Sequence, residues 1–217
     1  MAASVTTAGT DAKTYYFSDL AAAFDAVADA AADGATVRLL KNVTLTEGLF
    51  VYDQVTLDLN GFTIDDGNIS DGSSAALSVA GDSQLTIRDS SEAKTGAITN
   101  TKKTYAIYPA GTLNITGGSF GNVFLSSTSV VSGGVFTAIS CSGQNLDILN
   151  LGSLLAPGYA FADSDTDDLK NAYSATYLNN VTVVSHTKHS GSPCDCGYKC
   201  NHAAGMNETT GKCNTCG

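Results

Sequence analysis

Apolar and polar residues alternate in three short stretches that are copies of one pattern. Thr56-Leu57-Asp58-Leu59-Asn60-Gly61 returns 28 residues on as Gln84-Leu85-Thr86-Ile87-Arg88-Asp89, and 56 residues on as Thr112-Leu113-Asn114-Ile115-Thr116-Gly117. The second and fourth positions of each are aliphatic and their neighbours mostly polar, a period of two that marks a strand with one buried face. A strand recurring every roughly 20 to 50 residues predicts a coil of stacked turns, each burying its apolar side against the next. On that reading Leu57, Leu85 and Leu113 form one inner ladder, and Leu59, Ile87 and Ile115 a second. Asp58, Thr86 and Asn114 then face outward, beside Asn60, Arg88 and Thr116.

The stretch before the first copy changes period. Leu20, Phe24, Val27 and Ala31 recur at helical spacing, with Ser18 as N-cap, Asp19 in the first turn and Gly34 at the C-cap position. This predicts a short amphipathic helix laid across the first turn of the coil, covering the open end of its core, with docking along the side as the alternative. After the third copy the unit drifts but keeps its corner. Gly117-Gly118-Ser119-Phe120 and Gly133-Gly134-Val135-Phe136 each pair small residues with a following aromatic, as does Pro157-Gly158-Tyr159-Ala160-Phe161. Glycine admits unusual corner angles, and the aromatic then folds back into the core. Residues 173–184 predict a last strand pair joined at Asn179-Asn180. The composition shifts at Ser185, so three segments are expected: a flexible lead-in over 1–13, a β domain with its helix over 14–184, and a Cys/His-rich module over 185–217.

Composition adds constraints on function. Twenty-two glycines and only 3 prolines suit a protein of short strands and turns. A net charge of −10 argues against nucleic acid, whose phosphates need a basic surface. It suits a secreted or surface protein kept soluble by charge, and it also accommodates Ca2+ sites. No stretch approaches the roughly 20 apolar residues that span a membrane. Met1-Ala2-Ala3-Ser4 lacks the basic-then-apolar order of a signal peptide. The chain is therefore expected to be a piece of a larger extracellular or cell-surface protein with flanking domains.

Val55-Thr56-Leu57-Asp58-Leu59-Asn60-Gly61-Phe62-Thr63-Ile64, preceded by the Ser-Asp-Leu-Ala-Ala-Ala-Phe helix start, resembles right-handed parallel β-helix repeats of the pectate-lyase-like class. It is more specifically similar to those of large secreted surface proteins of Gram-positive bacteria. The resemblance covers about residues 14 to 184. It implies an all-β fold, a right-handed parallel β-helix with an N-terminal capping α-helix. It does not fix an activity, because one fold hosts lyases, hydrolases and adhesins alike.

The Cys/His segment has chemistry of its own. Cys200, His202, Cys213 and Cys216 read C-x-H-x10-C-x2-C, three thiols and an imidazole suited to tetrahedral Zn2+. A tail with almost no core needs a metal or disulfides to fold. His186, His189, Cys194 and Cys196 make a second candidate set with poorer spacing. The alternatives are disulfide pairing, usual for secreted cysteines, and a disordered tail. Cys141, outside the tail, is either the missing partner of its five cysteines or a small buried hydrophobe. Four protein ligands would make the zinc structural rather than catalytic. Tails of this kind also resemble short spacer repeats of the same surface proteins.

Catalytic inventories are thin. A glycoside hydrolase needs two carboxylates at defined spacing, whereas the outward ladder offers Asp58, Arg88 and Asn114 among hydroxyls and amides. Asp65, Asp66 and Asp89 lie at corners, where aspartates ordinarily form turns. All three histidines fall in the tail, so the β domain has no imidazole base. Tryptophan is absent, which leaves Tyr105, Tyr108 and Tyr159 as sugar-stacking candidates. The first expectation is a non-catalytic adhesion or carbohydrate-contacting module that meets a glycan or another ligand on a host or bacterial surface. The runner-up is a polysaccharide-active enzyme or its accessory domain, working through Asp58, Asp65, Asp66, Arg88 and Asp89. The third is a structural spacer.

Overall fold

A computed structural model describes residues 1–29, 34–141, 150–162 and 175–185. The elements begin with β1 (Ala3–Thr6), β2 (Thr14–Phe17), helix α1 (Leu20–Asp29), β3 (Ala35–Leu39), β4 (Val43–Thr44) and β5 (Leu49–Val51). Next come β6 (Gln54–Asp58), β7 (Thr63–Asp65), β8 (Ala75–Val79), β9 (Gln84–Arg88), β10 (Ala97–Ile98) and β11 (Tyr105–Pro109). The chain continues with β12 (Thr112–Ile115), β13 (Ser119–Leu125), β14 (Val130–Val131) and β15 (Gly134–Cys141). A 3-10 turn over Leu151–Leu154, β16 (Tyr159–Ala162) and β17 (Tyr177–Ser185) are the last elements among the described residues.

The strands assort into two sheets. Seven lie in the order β14-β12-β9-β6-β3-β1-β2; the run from β3 to β14 is parallel, while β1 pairs antiparallel with β3 and β2. The second sheet has ten strands, β16-β17-β15-β13-β10-β7-β4, with β11, β8 and β5 branching from β13. The branch exists because β13 runs unbroken through a corner: its Ser119 and Phe120 pair with β10, and its Val123 pairs with Ile107 of β11. One strand serving two rows curls the sheet into a parallel half-barrel. At its far end β17 runs antiparallel to β15 and β16 antiparallel to β17.

This corrects the expected right-handed parallel β-helix. The all-β character holds and the three copies do stack in parallel, but the strands form two mixed sheets rather than a uniform coil. Continuous β13 and β15 merge what a coil would keep as separate faces, and antiparallel pairings close one end of each sheet. Residues 1–13, expected as a flexible lead-in, supply β1, whose Ala3 and Val5 are buried in the core. Asn179 and Asn180 do not join a strand pair either. They lie inside β17, a single strand whose Leu178, Val181 and Val183 are buried, with Asn180 accommodated at φ 47°.

The register of the copies also differs from the simple 28-residue repeat. Val55 stands opposite Leu85, and Leu57 opposite Ile87, an offset of 30; Leu85 to Leu113 and Ile87 to Ile115 keep 28. Because side chains alternate with period two, a two-residue difference preserves the inward face. Leu59, expected in the second ladder, lies beyond the end of β6. It is fully buried at a corner, where its N–H donates to the Arg88 carbonyl at 2.9 Å. Asn60 and Gly61, at φ 48° and 81°, turn the chain there. The left-handed region tolerates asparagine and suits glycine.

Helix α1 packs on β1, β2 and β3 through Leu20, Ala23, Phe24 and Val27, all buried. Its cap is Asp19 rather than Ser18: Asp19 Oδ1 accepts the N–H groups of Ala21 at 2.7 Å and Ala22 at 3.3 Å, the second and third residues of the helix. Ala31 lies outside the described residues. The corner aromatics behave as expected. Phe120 and Phe136 are buried and stack with centroids 5.2 Å apart and planes at 19°, each just after a glycine (Gly118, Gly134) at φ 116°.

Candidate functional site

Strand register sets out two different outer faces. On the seven-stranded sheet, Thr56, Thr86 and Asn114 are neighbours, and Asp58 stands opposite Arg88. Asn114 reaches Thr86 with an amide-to-hydroxyl distance of 3.5 Å. Asp58 is buried, its Oδ1 accepting the N–H groups of Asn60 at 3.1 Å and Ser90 at 3.0 Å. Arg88 is half exposed, with Nε 3.5 Å from Asp58 Oδ2. Asp58 thus pins the corner after its own strand to the corner after the next. Its engagement with two amides leaves it poorly placed for general acid or base work.

The other carboxylates named from the sequence have the same occupation. Asp89 accepts from the amides of Gly61, Ser91 and Gly96 at 2.9, 3.0 and 2.6 Å. Asp66 accepts from the amides of Thr101, Lys102 and Lys103 and from the Thr101 hydroxyl. Asp65 accepts the Gly67 amide and the Thr99 hydroxyl. For Asp66 and Asp89, burial works to raise the carboxyl pKa, but hydrogen bonds to the charged form outweigh it and leave both below the usual range. Asp66 and Asp89 are therefore ionised corner locks, shifted away from the neutrality that a general acid requires.

Tyr105 and Tyr108 lie on β11, in the other sheet, apart from Asp58, Arg88 and Asn114. Here the outward positions run Phe50, Ser78, Tyr108 across β5, β8 and β11. The pairing of Ile107 with Val123 then sets Tyr108 beside Phe124 of β13. The three rings meet: Tyr108 stacks on Phe124 at 4.8 Å and 22°, Tyr105 lies 5.3 Å from Tyr108, and Tyr105 meets Phe124 edge-on at 5.9 Å and 69°. At the far end of the row Phe50 stacks on Tyr52 at 6.2 Å and 19°. Phe50, Tyr52 and Tyr108 are exposed, and Tyr105 and Phe124 partly so. Tyr159, the third stacking candidate, lies apart on β16 and packs against the core.

Phe124, Phe50 and Tyr52 were not singled out from the sequence. The signal was present in Leu49-Phe50-Val51 and Val123-Phe124-Leu125, where an aromatic takes the outward place between two inward aliphatics. An aromatic held outward across a strand is a ready face for the apolar side of a sugar ring.

The metal candidates are less informative. Cys200, His202, Cys213 and Cys216 lie outside the described residues, as do His186, His189, Cys194 and Cys196. Among the described residues no group of three or more His, Cys, Asp or Glu side chains is gathered to hold a metal, so the Ca2+ expectation gains no support. Cys141 sits in the core opposite Leu125, and burial pushes its thiol pKa up to about 11. No helix among the described residues is long and apolar enough to cross a membrane. No family model, no curated protein and no solved structure matches the chain.

Proposed function

We propose that the chain is a non-catalytic, carbohydrate-contacting module of a secreted or cell-surface bacterial protein, engaging glycan through the outward aromatics of the ten-stranded sheet. The observation that carries this reading is the joined surface of Tyr105, Tyr108 and Phe124. Rigid strands hold these rings, so little side-chain entropy is lost on contact. The commitment of the corner aspartates to backbone amides supports binding without turnover. The Cys200, His202, Cys213 and Cys216 set is proposed to hold a structural Zn2+ in a spacer that links the module to flanking domains.

The test is retention in native gels cast with soluble polysaccharides, together with a glycan array. The wild-type chain is expected to bind at least one glycan class and release no reducing or unsaturated ends. Tyr108→Ala with Phe124→Ala should abolish retention while thermal unfolding stays cooperative. Binding unchanged by that double variant would refute the aromatic reading, and product release would replace it with an enzymatic one. Zinc content near one atom per chain, lost on Cys213→Ser with Cys216→Ser, is expected for the tail. Oxidised thiols by intact mass would replace zinc with disulfides.

A further inference from the structure

The aromatic row ends in a cleft with a different chemistry. A cavity of about 360 Å³ lies between the first turn of α1 and residues 43–52, and Phe50 and Tyr52 line it. Among the described residues its lining includes four carboxylates, Asp19, Asp25, Glu47 and Asp71, and no lysine, arginine or histidine. Two of the four have protein partners already. Asp19 caps the helix, and Asp71 takes the amides of Gly48 and Ser73, with Lys103 Nζ 3.5 Å away. Asp25 and Glu47 are exposed and have no hydrogen bond or ion pair among the described residues.

We propose that this cleft receives the protonated amine of an amino sugar, so that the module prefers glycans bearing free amines; the identity of the ligand as a sugar rests on the function proposed above. An ammonium suits the site on two independent grounds. Unpartnered carboxylates supply charge, and the stacked Phe50–Tyr52 pair offers ring faces that attract a cation through their quadrupoles. A hard metal ion suits it less, because it needs several oxygens converging on one point and aromatic walls supply none. Position favours a glycan over a small free amine. Phe50 shares an outward row with Ser78 and Tyr108. At roughly 4.8 Å per strand, a chain seated on Tyr108 is about 10 Å from the cleft mouth.

Calorimetric titration with a glucosamine hexamer, its fully N-acetylated counterpart and spermidine tests this on the full chain. The free-amine hexamer is expected to bind about tenfold tighter than the acetylated one, with the margin shrinking as salt rises. Asp25→Asn with Glu47→Gln should erase the preference, and Tyr52→Ala should cut it roughly 2- to 5-fold. All three positions are exposed, so an unchanged melting temperature is the control. Equal affinity for the two hexamers, or a preference that survives the double variant, overturns the proposal. If neither hexamer binds, the glycan reading falls and so does the amino-sugar assignment. Spermidine binding that Asp25→Asn with Glu47→Gln removes would then still establish the cleft as an ammonium site, and no spermidine binding would refute that as well. Spermidine bound more tightly than the free-amine hexamer would replace the sugar with a polyamine.

Discussion

Asp89 Oδ1 accepts the backbone N–H of Gly61 at 2.9 Å, across 28 residues of sequence. The same carboxylate holds Gly96 N–H at 2.6 Å, so one side chain joins two corners and its own turn. Asp89→Ala leaves three backbone donors short of a partner. It is expected to destabilise the fold by about 2–4 kcal/mol, read as a lower urea midpoint with unchanged slope. Asp89→Asn retains one acceptor oxygen and should cost less. A midpoint unmoved by the alanine would show that other contacts hold the corner.

Acid should act through the same groups. Asp66 and Asp89 have folded-state pKa values below the ordinary aspartate value of 3.8, despite burial, because amide donors favour the charged form. A depressed carboxyl contributes stability that is present above its unfolded pKa, near 3.9, and is lost as pH falls through the folded value. Stability set by these two residues is therefore expected to be flat from about pH 5 upward and to fall below about pH 4. Asp66→Asn with Asp89→Asn should flatten that acid limb in urea titrations at several pH values. An undiminished limb would assign acid sensitivity to other carboxylates.

Gly134 stands at φ 116°, and a methyl group there would meet the Phe136 ring at 3.0 Å and the Phe120 ring at 3.2 Å. Gly134→Ala therefore combines backbone strain with crowding of the stacked pair. It is expected to lose about 2–4 kcal/mol in chemical denaturation. At Gly72 a methyl group would meet no atom within 4 Å, and φ is not positive. Gly72→Ala therefore serves as the control, with a change expected under about 0.5 kcal/mol.

Cys141 should resist alkylation. Burial keeps reagent out and raises its thiol pKa to about 11, so little thiolate exists near neutrality. Brief iodoacetamide treatment at mildly alkaline pH followed by peptide mapping is expected to leave Cys141 largely unlabelled in the folded protein and labelled in urea. Rapid labelling without denaturant would show that β15 opens readily.

Much of the fold was legible because alternation reports burial directly. Leu57, Leu85, Ile87, Leu113 and Ile115 all point inward, and Phe120 and Phe136 fold back as their glycines suggested. What alternation cannot report is register, since a two-residue difference leaves every face unchanged; hence Val55 rather than Leu57 beside Leu85. Sheet merging was hidden for a related reason: nothing local in Ser119–Leu125 says that one strand will serve two rows. The site was half visible. Tyr105 and Tyr108 could be named as rings, but their company came only from the pairing of Ile107 with Val123, which brings in Phe124. Asp58 and Arg88 were legible as outward neighbours, yet the burial of Asp58 and its two amide contacts come from the corners at Asn60, two residues on, and at Ser90, 32 residues on.

The reversal of strand direction at β1 and β17 is undone one strand later. β2 is antiparallel to β1 and so runs with β3, and β16 is antiparallel to β17 and so runs with β15. At the opposite ends β14 and β4 keep the same sense as the strands they pair with. Each sheet thus ends on strands of one sense, and an uncovered strand edge is a template for pairing with another chain. Protection against end-to-end association has to come from whatever covers those edges, not from the direction of the strands.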